Sequence, residues 1–171
     1  MDGHAQQSFR VPAREQPGRL AARGDAASLT LREARAQYFL RAGFDERSYA
    51  DRWVRLRVFG LPLLAFPNTA GRVRAVKLHD LHHVLTGYDT SWAGEGEIGA
   101  WELASGCRDH WAAWALNGSA ALIGLLIAPG RVLRAFARGR RERNLYAQEL
   151  SDALLGETLG ALRARLGIAG P

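Results

Sequence analysis

Disulfide chemistry is closed to this chain on its own: among 171 residues Cys107 is the single cysteine, so no intramolecular bridge forms and nothing ties the protein to an oxidising compartment. Lysine is almost missing as well, since of 23 basic residues only Lys77 is not arginine. Together with the abundance of Ala and Gly, this bias is what a GC-rich coding sequence produces. The net charge of +6 therefore says less about nucleic-acid or membrane partners than the clustering of the arginines does. Gly-rich phosphate loops and internal repeats are missing, and no strand pattern stands out. Residues 1–28 lack the apolar run of a signal peptide. Asp2, Glu15 and Asp25 argue against a mitochondrial leader there, and the stretch reads as a disordered tail.

What is present is a chain with 47% hydrophobic residues, enough for one domain with a real core over 29–171. The periodicity predicts an all-α fold, a single bundle of about six helices. Thr30 and Glu33 have capping-box spacing ahead of a first helix through Leu40, stopped by Gly43. Asp45 is placed to cap a second from Glu46 to Phe59, with Tyr49, Trp53 and Leu56 on one stripe, before an extended connection marked by Pro62 and Pro67. Asn68 is placed to cap a third helix to about Leu85, which Gly87 breaks, and Asp89 or Thr90 a fourth from Ser91 to Ser105. Trp111 to Ala128 is a mostly apolar stretch at the lower limit for spanning a bilayer. Its small residues suit close packing, and it is expected as a buried core helix ended by Pro129-Gly130. A last helix is expected from Leu145, with Leu155, Leu159, Leu162 and Leu166 on one face.

Chemistry concentrates in HDLHHVLTGYDTSWAGE. His79 and His83 stand four apart, which on a helix brings both imidazoles to one face one turn apart. Asp80 borders that face, to bind directly or to orient His83. A short loop lets the following helix return so that Glu95 meets the histidines. Two imidazoles with one or two carboxylates suit a divalent metal: zinc is the leading expectation, with iron, manganese and cobalt compatible. Three protein ligands leave a position open for water or substrate, and Asp80 or His82 would move protons. The plainer alternative for His82 is a surface residue.

The arrangement H-D-x-x-H, eleven residues and Glu resembles the signature of the Coq-four family of ubiquinone (coenzyme Q) biosynthesis proteins. Leu85, Gly87, Thr90 and Gly94 fall where that family tends to have such residues. NLYAQEL and LRARLGI near the C-terminus are similar to the family's end, although an aromatic pair there is reduced to Tyr146 followed by Ala147. The resemblance implies an all-helical protein with His79, Asp80, His83 and Glu95 as ligands of a divalent metal. It also implies membrane association, polyprenylated quinone precursors as substrates, and a link to oxidative removal of the C1 carboxyl group and to other biosynthetic proteins. Such a protein would sit peripherally on the inner face of a bacterial membrane, or on the matrix side of the mitochondrial inner membrane.

Arg131, Arg134 and Arg138 lead an arginine-rich segment beside Val132, Leu133 and Phe136. They suit anionic lipid or a lipid phosphate, or else form a solvated basic face. A nucleic-acid role lacks a reading motif. Two other classes compete with a metal-dependent lyase or decarboxylase. One is a non-catalytic lipid-binding scaffold with a structural metal. The other is a metal-dependent hydrolase, since H-D-x-x-H is near the zinc-peptidase H-E-x-x-H.

Overall fold

The computed structural model describes residues 26–43, 49, 53–58 and 61–170. These build a helical domain to which a two-stranded hairpin is added. In chain order they are α1 (Leu31–Ala42), β1 (Trp53–Val58), β2 (Leu61–Pro67), α2 (Ala70–Thr86), α3 (Trp92–Ser105), α4 (Trp111–Ile127), α5 (Pro129–Gly139), α6 (Asp152–Gly156) and α7 (Leu159–Leu166). Most of the expected tail 1–28 lies outside the described residues, as does the expected cap at Asp45.

Helix starts follow local chemistry closely. Thr30 and Glu33 form the reciprocal capping box of α1, and Gly43 ends it in the left-handed region. Thr69, one residue after the expected Asn68, caps α2 by accepting from the Arg72 N–H. Asn68 is taken up otherwise: its amide donates to the Tyr49 carbonyl at 3.0 Å, and its oxygen accepts from the Arg72 side chain at 2.7 Å. Ser91 caps α3, and the Asp89 side chain in turn accepts from the Ser91 N–H at 2.9 Å. Each such cap contributes about 1 kcal/mol.

Three expectations need correcting. The helix expected over 46–59 is replaced at its C-terminal half by β1, which pairs antiparallel with β2 where a mere connection was expected. Val54-Arg55-Leu56-Arg57-Val58 alternates apolar and charged residues with a period of two, and that pattern outweighs the looser helical stripe. Pro62 is tolerated because it pairs beside the irregularity between Leu56 and Arg57, in a sheet where both strands are edges. The long C-terminal helix is instead two short ones, because Ser151 and Thr158 each cap a new start. The Leu145 N–H, which a helix would leave free for its own ladder, donates to His82 Nε2 at 2.9 Å.

The third correction concerns α4, which is only half buried. Its inner side is small: Ala112, Ala113, Asn117, Ala121 and Gly124 are buried. Its large residues Trp111, Trp114, Leu122, Leu125, Leu126 and Ile127 are exposed. The small side lets α3 approach very closely, since a Cβ added at Gly96 would lie 2.5 Å from the Gly124 Cα. Pro129 ends α4 and at once opens α5, where its missing N–H costs nothing. Among the described residues no helix is long and apolar enough to cross a membrane.

The main core gathers Leu31, Leu78, Leu81, Leu85, Trp101, Leu145 and Leu162, all fully buried. The start of α1 and the α6–α7 junction meet over it: the Leu31 N–H donates to the Glu157 carbonyl at 2.8 Å, and the Leu159 N–H to the Leu29 carbonyl at 2.9 Å. This packing holds α2 rigidly against its neighbours, with its histidine-bearing turns turned inward.

Candidate metal centre

On α2, His79 and His83 lie one turn apart, and the five-residue connection after Thr86 leads into α3. Gly87 takes the left-handed conformation (φ 79°) that ends α2, which a β-carbon would strain. Glu95 falls in the first turn of α3 and Glu102 two turns later on the same side. The two histidine Nε2 atoms are 3.2 Å apart. Glu95 lies 3.5 Å from His79 Nε2 through one oxygen and 3.4 Å from His83 Nε2 through the other.

The outer nitrogens of the rings decide what these atoms offer. His83 Nδ1 is 2.9 Å from the Tyr88 carbonyl, which only accepts, so the proton sits on Nδ1. His79 Nδ1 is 2.9 Å from a Glu102 oxygen and donates to it in the same way. When the rings are neutral, both Nε2 atoms turn their lone pairs toward each other and toward the Glu95 carboxylate. Three acceptors then converge, and they repel one another unless a proton, as on a charged His79, or a metal cation lies between.

A tetrahedral zinc-type ion with bonds of about 2.0–2.1 Å separates its ligand atoms by about 3.3–3.4 Å. The 3.2 Å between the two Nε2 atoms fits that spacing, and each Nε2 has one Glu95 oxygen at 3.4 or 3.5 Å, the two oxygens facing different rings. His79, His83 and Glu95 thus form a group able to hold a metal ion. His79 and Glu95 keep about a fifth of their side-chain surface exposed (20% and 22%), so the group is reached from solvent.

Charges inside the cluster shift as that geometry requires. Burial works against a charged His79 ring, yet Glu102 and Glu95 overcome it and hold its pKa well above the ordinary value. Burial likewise opposes the Glu95 charge, but hydrogen bonds to His79 and His83 outweigh it and bring the carboxyl down to about 2. Glu102, also buried, is held well below the carboxylate range by His79 and His82.

The other expected residues are placed differently. Asp80 does not join the converging three: it is buried, accepts from the Tyr49 hydroxyl, and is pushed up by desolvation. His82 is neither on the surface nor placed to move protons to a ligand. It is fully buried, with Nδ1 donating to Glu102 at 2.6 Å and Nε2 accepting from Leu145. With both ring nitrogens engaged, and burial lowering its pKa, it works as a structural crosslink. Arg131 pairs with Glu97 at 2.5 Å. Arg138 bonds Glu142 at 2.8 Å and the Ala169 carbonyl at 2.6 Å, so its fork is occupied internally. Arg134 is exposed beside a 460 Å³ hollow that Arg141, Gly167 and Ala169 also line.

Sequence reasoning missed Glu102, which takes donors from four side chains: His79, His82, Asn117 and Tyr146. Two signals pointed to it. Glu95 and Glu102 are seven apart, hence on one helix face, and Asn117 is a polar residue interrupting an otherwise apolar helix. Tyr38 was missed too; its ring stacks on His83 at 5.6 Å between centroids. Set against models of known protein families and against curated proteins, the chain matches none.

Proposed function

We propose that the protein is a metal-dependent component of ubiquinone biosynthesis, acting at a membrane surface on a polyprenylated phenolic carboxylate. The observation that carries the metal part is the convergence of His79 Nε2, His83 Nε2 and the Glu95 carboxylate. An ion held by His79, His83 and Glu95 would supply Lewis-acid stabilisation of charge on the ring carboxylate or phenolic oxygen. Loss of carbon dioxide would leave the electron pair of the broken bond on C1, to be taken by a proton from water, and hydroxylation there would be a separate step using dioxygen and an external reductant. The quinone substrate rests on the resemblance of His79, Asp80, His83 and Glu95 to the Coq-four signature. With Asp80 bonded to Tyr49, the metal is assigned to the other three.

Support for a lipid surface comes from α4 and α5. Large apolar side chains stand exposed along both: Trp111, Trp114, Leu122, Leu126, Leu133 and Phe136. The α4 sequence carries no charge, and Arg134 on the adjoining helix and Arg140 just past its end are exposed. Such a face, apolar with basic neighbours, fits the interfacial layer of an anionic bilayer. A second copy would instead bring the arginines of two chains together.

The deciding experiment measures metal and function in the same variants. Wild-type protein purified with a divalent transition metal should carry about one ion per chain, and His83→Ala and Glu95→Gln should lose most of it while keeping their helical circular dichroism. In a host lacking its own family member, wild type should restore ubiquinone and Glu95→Gln should not. Full metal occupancy in both variants would remove the site, and restoration by Glu95→Gln would make the protein a scaffold.

A further inference from the structure

We infer that Glu102 is a positioning residue for the metal centre: one carboxylate oxygen holds His79 in the ligand-ready tautomer, and the other ties that orientation to Asn117 and Tyr146. The inference rests on the metal reading and deepens it. Glu102 is fully buried, so each of its oxygens needs donors from the protein. Oε1 accepts from His79 Nδ1 at 2.9 Å and from His82 Nδ1 at 2.6 Å. Oε2 accepts from the Tyr146 hydroxyl at 2.6 Å and from the Asn117 amide. Four donors from three different parts of the chain leave the carboxylate no freedom to swing.

The consequence lies in which nitrogen of His79 is left bare. An ionised carboxylate only accepts, so His79 presents Nδ1–H to it, and when the ring gives up its second proton to a metal ion the lone pair is on Nε2, the atom that faces His83 and Glu95. The carboxylate also makes that imidazole a stronger donor to a cation. His82 shares the same oxygen and fixes the Leu145 N–H with its other nitrogen, so segment 144–146 is clamped at two points. Seating this segment and orienting the metal ligand are therefore one structural event. His83 has a different anchor, the Tyr88 carbonyl in the connection between α2 and α3, so Glu102 acts on one ligand only.

Glu142 provides an internal comparison. It too is a buried carboxylate, bonded by the Trp101 indole at 2.7 Å, Arg138 at 2.8 Å and the Ala169 N–H at 3.1 Å, but it touches no metal ligand.

The test begins with the wild type. In cadmium-loaded, nitrogen-15-labelled protein, His79 should bind through Nε2 with a proton on Nδ1; coordination through Nδ1 would overturn the inference without any variant. In competition with a chromophoric chelator, Glu102→Gln should bind zinc about 10–100-fold more weakly and its cobalt(II) spectrum should change, whereas Glu142→Gln should keep wild-type affinity and spectrum. Equal affinity of Glu102→Gln and wild type would overturn it, as would an equal loss in Glu142→Gln, which would reduce the effect to general destabilisation. If Glu102→Gln does not fold, the wild-type nitrogen spectrum still decides. Wild type that binds no metal removes the metal reading and this inference together. Normal wild-type binding beside an unaffected, folded Glu102→Gln removes only the positioning role.

Discussion

The interior around Glu102 and the outer face of α4 invert the usual distribution of side chains. Within the domain, His79, His82, His83, Glu95 and Glu102 crowd together where apolar residues normally go. On α4, Leu126 is 87% and Trp111 70% exposed while alanines and a glycine are buried. Buried charge is stable only when every donor and acceptor is matched, and Glu102 meets that condition with four donors. Exposed leucine has no such internal remedy and calls for something outside the chain. One region is satisfied within the protein, and the other is the face that the proposed lipid surface would cover. Asn117 links the two, since it lies on the buried side of α4 and bonds Glu102.

The sharpest way to break this contrast is to remove Glu102 altogether. Glu102→Ala leaves four donors buried without an acceptor, and we expect a loss of about 3–5 kcal/mol in urea unfolding. A loss below about 1 kcal/mol would mean that water replaces the carboxylate easily and the cluster is not closed.

A second test uses pH with and without metal. His79 has a folded pKa raised above 6.5, so its contribution is fully present below 6.5 and is lost as pH rises through the raised value. Glu95 is depressed from 4.5 to about 2, so its contribution is present above 4.5 and lost as pH falls toward 2. The metal-free protein should therefore be most stable between 4.5 and 6.5. Bound zinc takes the place of the His79 proton and should abolish the alkaline loss. Identical stability curves for the two forms, recorded by thermal unfolding across pH 4–9, would contradict the assigned lone pairs.

The smallest effect on stability belongs to α4. Leu126→Asp, at a site already in water, should change unfolding free energy by no more than about 0.5 kcal/mol. It should nonetheless reduce sedimentation with anionic vesicles several-fold, while a matched change at buried Leu81 would unfold the protein. Undiminished sedimentation of Leu126→Asp would show that the face is covered by something other than lipid.

Much of the architecture was legible because helix boundaries are local chemistry. Thr30, Glu33, Gly43 and Gly87 act through bonds spanning three or four residues, and His79, His83 and Glu95 could be matched because a helix repeats every 3.6 residues. Trp53–Val58 failed because one short segment satisfied two periods at once and pairing with Leu61–Pro67 selected the strand. The C-terminal helix failed because the Leu145 N–H found its acceptor in His82, 63 residues away.

Sequence alone therefore determined the mainly helical character, the helix signals at Thr30, Gly43 and Gly87, and the three residues able to grip an ion, all of them set by short-range spacing. Tertiary structure decided that Asp80 turns to Tyr49, that His82 is a crosslink rather than a base, that Glu102 governs His79, and that α4 presents its large side chains outward. Each of those depends on which groups from distant segments share a desolvated space. A buried donor or acceptor must be satisfied by whatever neighbour the fold supplies, and no local pattern names that neighbour.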